Sequence, residues 1–137
     1  MKFIPYLVFP GQAEEAMRFY ESALGGKITG LQRFDDMPGG TSDDPSGDAF
    51  KHKVMHGEVV AGGLKLYFSD SSREVAKGDN VTILIDCDSE PEVDRLYEAL
   101  QVGGTVQMAL GKTFWNAKYA NIKDRFGVTW QLNFQYS

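Results

Sequence analysis

At 137 residues, with 42% hydrophobic residues, the chain has the size of one compact domain and enough apolar material for a core. A net charge of −5 with scattered Lys and Arg argues against a nucleic-acid surface, which needs a basic stripe. No apolar run reaches the length of a bilayer span, residues 1–9 lack a signal-peptide pattern, and a single cysteine, Cys87, excludes an intrachain disulfide. The expectation is a cytoplasmic protein that contacts neither membrane nor nucleic acid.

Residues 3–9 read as a short strand ended by Pro10-Gly11, and Pro5 places it at a sheet edge or terminus. Over 13–24, Ala13, Ala16, Met17, Tyr20, Ala23 and Leu24 recur at helical spacing. Glu14 and Glu15 fall in the first turn, where the helix dipole favours them, and Gly25 is placed to end the helix in a left-handed conformation. Residues 27–34 read as a second strand. Residues 35–48 have no periodicity and read as a loop. Their five aspartates lack the alternate-residue spacing and closing Glu of a calcium loop.

Strands are expected over 51–61 and 64–69, joined by the hairpin signal Gly62-Gly63. Residues 70–79 are polar and read as a linker, followed by a strand over 80–86. Ser89, Pro91 and Glu92 form the opening of a second helix whose apolar face is Val93, Leu96, Tyr97 and Leu100. Strands over 105–110, 117–122 and 128–134 complete the chain, the last entered through the turn Asp124-Arg125-Phe126-Gly127.

Residues 8–28 are echoed by residues 86–106. Phe19-Tyr20-Glu21 returns as Leu96-Tyr97-Glu98, and Gly25-Gly26 as Gly103-Gly104. Each half is strand, helix, strand, strand, strand. The expected fold is α+β: two βαβββ modules, 1–70 and 79–137, forming a curved, cup-like mixed sheet with helices on its outer face. Alternation gives each strand an apolar face for the helices and a mixed face for the hollow. A concave surface with a few polar groups among apolar ones is the default ligand site. Trp130 belongs to the apolar face and is expected in the core.

The stretches IPYLVFPGQAEEAMRFYESALGG, VMHGEVVAGGLKLYFSD and TFWNAKYANIKDRFGVTWQLNF resemble the PhnB-like branch of the vicinal oxygen chelate superfamily. That superfamily includes glyoxalase I, bleomycin-resistance proteins and extradiol dioxygenases. The resemblance implies a homodimer and, in enzymatic members, a divalent metal held by His and Glu from the first, fourth, fifth and eighth strands. Those positions carry over onto Pro5, Lys65 or Tyr67, Asn80 and Gln131. None is a good metal ligand, so neither a metal nor another cofactor is expected, and no metal-assisted enolisation. Some members of this branch are labelled ubiquinone-type methyltransferases. This chain has no glycine-rich strand-to-helix turn of the kind a nucleotide-type cofactor needs.

Two sets of residues are candidates for function. His56 and Glu58 lie two apart on one strand and share a face, which makes them a candidate catalytic acid–base pair; with His52 they form the run His-x-x-x-His-x-Glu, an alternative metal set. Tyr67, Trp115, Asn116, Tyr119 and Gln131 are candidate ligand-binding residues, an aromatic wall with polar groups for a small apolar or aromatic ligand. Cys87 ends an apolar strand without a basic neighbour and is expected to be inert. Three functions are open: a metal-free small-molecule binder of the sequestration or resistance type; a lyase, isomerase or dioxygenase-type enzyme using His56 and Glu58, with or without metal; and a homodimeric interaction module.

Overall fold

The computed structural model describes residues 1–36 and 50–137. The chain divides into two compact units, Met1–Ala76 and Lys77–Ser137. In the first, β1 (Tyr6–Phe9), α1 (Ala13–Ala23), β2 (Lys27–Arg33), β3 (Val54–Ala61) and β4 (Leu64–Asp70) follow in order. In the second come β5 (Ile83–Asp86), α2 (Glu90–Leu100), β6 (Thr105–Lys112), β7 (Ala117–Lys123) and β8 (Thr129–Gln135). The strands form two four-stranded sheets, β1-β4-β3-β2 and β5-β8-β7-β6. In each, the first and last strands pair in parallel and the others antiparallel, so both sheets are mixed.

Three strands start three residues later than the sequence suggests. The first starts at Tyr6 and not at residue 3, because Pro5 has no amide to give; its carbonyl instead accepts from the Tyr67 amide at 3.0 Å. The third starts at Val54, since residues 51–53 form a turn closed by the Lys53 amide on the Phe50 carbonyl. The fifth starts at Ile83, leaving Asn80 outside the sheet. Asp70 is no linker residue: it ends β4 and is buried. Its carboxylate accepts from the amides of Gly11 (3.0 Å), Ala13 (2.8 Å) and Val54 (3.0 Å), tying β4 to the start of α1 and to β3. The acidic loop expected over 35–48 lies, beyond Asp36, outside the described residues.

Both helices bury the faces that their spacing sets. Ala13, Ala16, Met17, Tyr20 and Ala23 of α1 cover the face of the first sheet built from Phe9, Val59, Leu66 and Phe68. Gly57 on β3 is where Met17 presses closest; a Cβ there would lie 2.4 Å from the Met17 sulfur. Val93, Leu96 and Leu100 of α2 cover Ala120, Ile122, Trp130 and Leu132. Each such large side chain taken from water contributes about 1.5–3 kcal/mol. The Ser89 hydroxyl caps α2 by accepting from the Glu92 amide at 3.2 Å, and Glu92 returns to accept from the Asp88 amide at 3.0 Å.

The internal echo is structural. Gly25 and Gly103 end their helices at φ of +66° and +74°, a conformation that favours glycine. Gly26 and Gly104 are needed for a different reason. A Cβ on either would come within 2.4 Å of a carbonyl oxygen on the third strand of its own unit, that of Val60 or Lys123. One residue beyond Ile28, and one beyond Val106, the register shifts in the same way. The buried carboxylate of unit 2 sits elsewhere. Asp124 accepts from the amides of Phe126 (2.8 Å) and Val128 (3.1 Å) and from the Trp130 indole (2.8 Å), which fixes the turn before β8 and satisfies a fully buried tryptophan.

Candidate functional site

Strand alternation leaves each sheet with a second face, opposite the one that the helix of its own unit covers, and the register says which residues share it. In unit 1, Tyr6 of β1 stands opposite Tyr67 of β4, and Tyr67 opposite Glu58 of β3. His56 lies two residues back on β3, and Gln32 of β2 stands opposite it. The side chains of Tyr6, Tyr67, His56 and Glu58 touch. The Tyr6 hydroxyl is 3.3 Å from His56 Nδ1, and His56 Nε2 is 3.5 Å from Glu58 Oε1. The His56 and Tyr67 rings meet edge to face with centroids 4.8 Å apart, and Tyr6 meets Tyr67 in the same way at 5.9 Å. Thr29 donates to the other Glu58 oxygen at 3.3 Å. The face therefore holds two tyrosine rings around a histidine–carboxylate contact.

The sequence reading grouped His52 with this pair. The structure separates them: His52 is in the turn before β3, and its Nδ1 lies 3.0 Å from Asp35. A shallow depression of about 430 Å³ between residues 2–4 and the β3–β4 hairpin is lined by none of the candidate residues.

In unit 2 the corresponding face carries different chemistry. Gln131 of β8 stands opposite Leu84 of β5 and Asn121 of β7. Matching the two registers pairs Tyr6 with Leu84, His56 with Tyr119, Glu58 with Asn121 and Tyr67 with Gln131. Both ends of the Gln131 amide are engaged. Its oxygen accepts from the Tyr119 hydroxyl at 2.6 Å, and its nitrogen donates to Thr82 Oγ1 at 2.7 Å. Tyr119 meets Trp115 at a centroid distance of 5.9 Å, and Trp115 meets Phe114 at 5.0 Å, both edge to face. Phe114 is 97% exposed and Trp115 46% exposed. A ladder of three aromatic rings thus runs from the β6–β7 turn to a polar end. Asn121 Oδ1, beside Gln131 in the register, is buried without a hydrogen-bond partner.

Asn116 takes a separate part. It is the one non-glycine residue with positive φ among the described residues, at 62°. Its carbonyl accepts from Gln135 Nε2 (2.8 Å) and the Tyr136 amide (3.0 Å), so it shapes the turn that carries Trp115. Tyr6 and Asn121 went unnoticed in the sequence. Tyr6 has the same strand parity as Tyr67 once β1 is paired in parallel with β4, which was the available signal. Asn121 had none before its strand was registered against Gln131.

The metal positions implied by the resemblance change with the register. Tyr67, not Lys65, is the counterpart of Gln131. Asn80 and Pro5 lie outside the strands, and the uncovered-face residues nearest them are Thr82, Leu84 and Tyr6. These positions offer phenols, a hydroxyl, an alkyl chain and an amide already bonded at both ends. That set does not fit a divalent transition metal, which binds imidazole, carboxylate or thiolate. No group of three or more His, Cys, Asp or Glu suited to a metal occurs among the described residues. Cys87 is buried, and burial followed by the nearby Glu92, Asp86 and Asp88 carboxylates pushes its thiol up to about 11.

Two helix-backed modules of this construction define the glyoxalase/bleomycin-resistance class of fold. Solved proteins from Nocardioides and Burkholderia phytofirmans, described as glyoxalase/bleomycin resistance protein/dioxygenase, share it at TM-scores of 0.58 and 0.60, with 19% and 17% identity. The chain belongs to the PhnB-like family within that class: the family profile described as 3-demethylubiquinone-9 3-methyltransferase matches residues 1–133. It is 30% identical to the protein YjdN of Escherichia coli, over 97% of this chain and 95% of that one. The solved protein PA1353 of Pseudomonas aeruginosa is 35% identical, with a TM-score of 0.85 over 100% of this chain and 99% of that one. A Bacillus cereus structure described as a 3-demethylubiquinone-9 3-methyltransferase and PhnB protein is 27% identical, with a TM-score of 0.78 over 98% and 99%.

The methyltransferase description implies a nucleotide-type methyl donor, and the strand-to-helix turns do not fit one. At α1 the Gly11 and Ala13 amides are already taken by Asp70, and at α2 Ser89 and Glu92 close the first turn. No helix of the described residues is long and apolar enough to cross a membrane.

Proposed function

We propose that the protein binds a small apolar or aromatic molecule without a metal, in the manner of a sequestration or resistance protein. The observation that carries this reading is the aromatic ladder of unit 2, Phe114, Trp115 and Tyr119, ending at the Gln131 amide. The exposed Phe114 and half-exposed Trp115 rings offer a flat ligand stacking area, worth about 0.5–1.5 kcal/mol per aromatic pair beyond burial. The Asn121 carbonyl adds a hydrogen-bond acceptor with no partner of its own. Tyr67 supplies a further ring on the unit 1 face. The metal-free part of the reading rests on the donor set at the inherited positions. A homodimer in the cytoplasm is the setting that we propose for this activity.

Thermal shift with a panel of flat aromatic and bleomycin-like compounds tests the reading, with and without nickel or zinc. Stabilisation grows with ligand concentration over its dissociation constant. The expected result is a shift that is indifferent to metal and lost in Trp115→Ala. A shift seen only with metal, and kept in Trp115→Ala, would sink it.

A second reading has its own observation. It is the 3.5 Å contact of His56 Nε2 with Glu58 Oε1 on the unit 1 face, which supports reading the two as an acid–base pair. It supports proton-transfer chemistry on a bound ligand, with His56 and Glu58 as the working groups.

A further inference from the structure

We propose that Tyr6 is the group on the unit 1 face that meets the ligand, and that His56 and Glu58 act through it as a proton relay. The inference rests on the second reading above and adds the residue that touches the ligand. It stands on the order of the three side chains. Glu58 Oε1 lies by one ring nitrogen of His56, and the Tyr6 hydroxyl lies by the other. A carboxylate accepts only, so the neutral ring puts its proton on Nε2, facing Glu58. That leaves the Nδ1 lone pair facing the phenol. Glu58 is held in turn by Thr29, and no side chain from Gly30, opposite Glu58 on β2, crowds it. Tyr6 is 49% exposed, whereas the His56 and Glu58 side chains are 32% and 28% exposed. The Tyr6 end of the row is thus the one more open to a ligand.

The step is a plain proton transfer. The Tyr6 O–H bond breaks and its proton forms an N–H bond at His56 Nδ1. The electron pair stays on the phenol oxygen as phenolate, and the positive imidazolium lies against Glu58. Rings of Tyr67 and His56 border the phenol, so the ligand class that fits is a small aromatic molecule with an exchangeable proton, which the phenolate accepts. This arrangement has no counterpart in unit 2, where Leu84, Tyr119 and Asn121 hold the matching positions.

An arylsulfonyl fluoride reads the same transfer without knowledge of the ligand. The phenol oxygen bonds to sulfur, the S–F bond breaks, fluoride leaves and the phenol proton passes to His56. Modified peptides from the whole chain, followed in time by mass spectrometry, give a rate for each tyrosine. The expected result is that Tyr6 reacts fastest, and that His56→Ala slows it by roughly tenfold or more while leaving Tyr97 unchanged. Glu58→Gln, which keeps the side-chain shape, is expected to slow Tyr6 by a smaller factor. Circular dichroism of each variant shows whether it has folded, and Glu58→Gln carries the test should His56→Ala fail to fold. A Tyr6 rate that is equal in all three folded proteins would overturn the relay. So would a rate no higher than that of Tyr97. Either result leaves ligand binding at Trp115, measured by thermal shift, to stand or fall separately.

Discussion

The Tyr119 hydroxyl donates to Gln131 Oε1 across 2.6 Å, and this bond joins the aromatic ladder of unit 2 to its polar end. Tyr119→Phe leaves the ring and removes the donor. It is expected to cost about 1 kcal/mol in urea unfolding, the worth of one part-buried hydrogen bond. A double-mutant cycle with Gln131→Leu checks the assignment, since a real bond gives a coupling energy of about 0.5–1 kcal/mol. Full additivity would mean that the two side chains do not interact in solution.

The second glycine of each echoed pair should be intolerant of any side chain. A Cβ at Gly104 would lie 2.4 Å from the Lys123 carbonyl and 2.9 Å from Asp124 Cα, both rigid backbone. Gly104→Ala is expected to destabilise by about 2–3 kcal/mol, at the upper end of overpacking effects. Gly63→Ala provides the control, because nothing lies within 4 Å of its Cβ position. Equal denaturation midpoints for the two variants would contradict the close approach.

Acid should remove one identifiable contribution to stability. The hydrogen bond from Arg33, followed by that from Arg18, holds the Glu14 carboxyl at about 2, below the ordinary value of 4.5. A depressed carboxylate stabilises the fold above its unfolded value, and the effect fades as pH falls from about 4.5 to about 2. The Glu14 side chain is 34% exposed, so solvent screening limits the contribution to about 1 kcal/mol. Wild type should exceed Glu14→Gln by that margin at pH 7, and the margin should shrink toward zero as pH falls through 2. A difference independent of pH would assign the effect to packing.

Cys87 should be silent in the folded protein. With its thiol at about 11, only about one molecule in a thousand is thiolate at pH 8. Iodoacetamide is expected to alkylate it only after denaturant unfolds unit 2. Rapid native labelling would show that the β5–α2 junction opens.

Much of the fold can be read from patterns that repeat. Helical spacing placed both helices to within a residue or two, and alternation placed Trp130, Leu132 and Phe68 on the buried faces. The paired glycines marked the duplication because each answers to a steric demand that any side chain would violate. Strand starts were harder. Residues 3–5, 51–53 and 80–82 have the right chemistry for strands, and only the ladder partners decide where pairing begins. Asp70 looked like solvent-facing linker because nothing local shows that three backbone amides converge on it.

The candidate site was legible in part for the same reason. His56 with Glu58, two apart on one strand, could be placed on one face from parity alone. Trp115 with Tyr119 also proved to be in contact. Tyr6 and Asn121 join these groups only through pairing between strands distant in sequence. Asn116, a candidate ligand contact, also shapes a turn, a part that its side chain gave no sign of, since its backbone accepts a left-handed conformation.

The matching of registers between the two units has a consequence for how such a protein changes over generations. His56 and Glu58 occupy the same lattice points as Tyr119 and Asn121, so a face can trade ionisable groups for neutral ones while its scaffold stays put. One copy can change the side chains on its face while its twin keeps its own. The duplication thereby gives selection two copies of one scaffold on which to write.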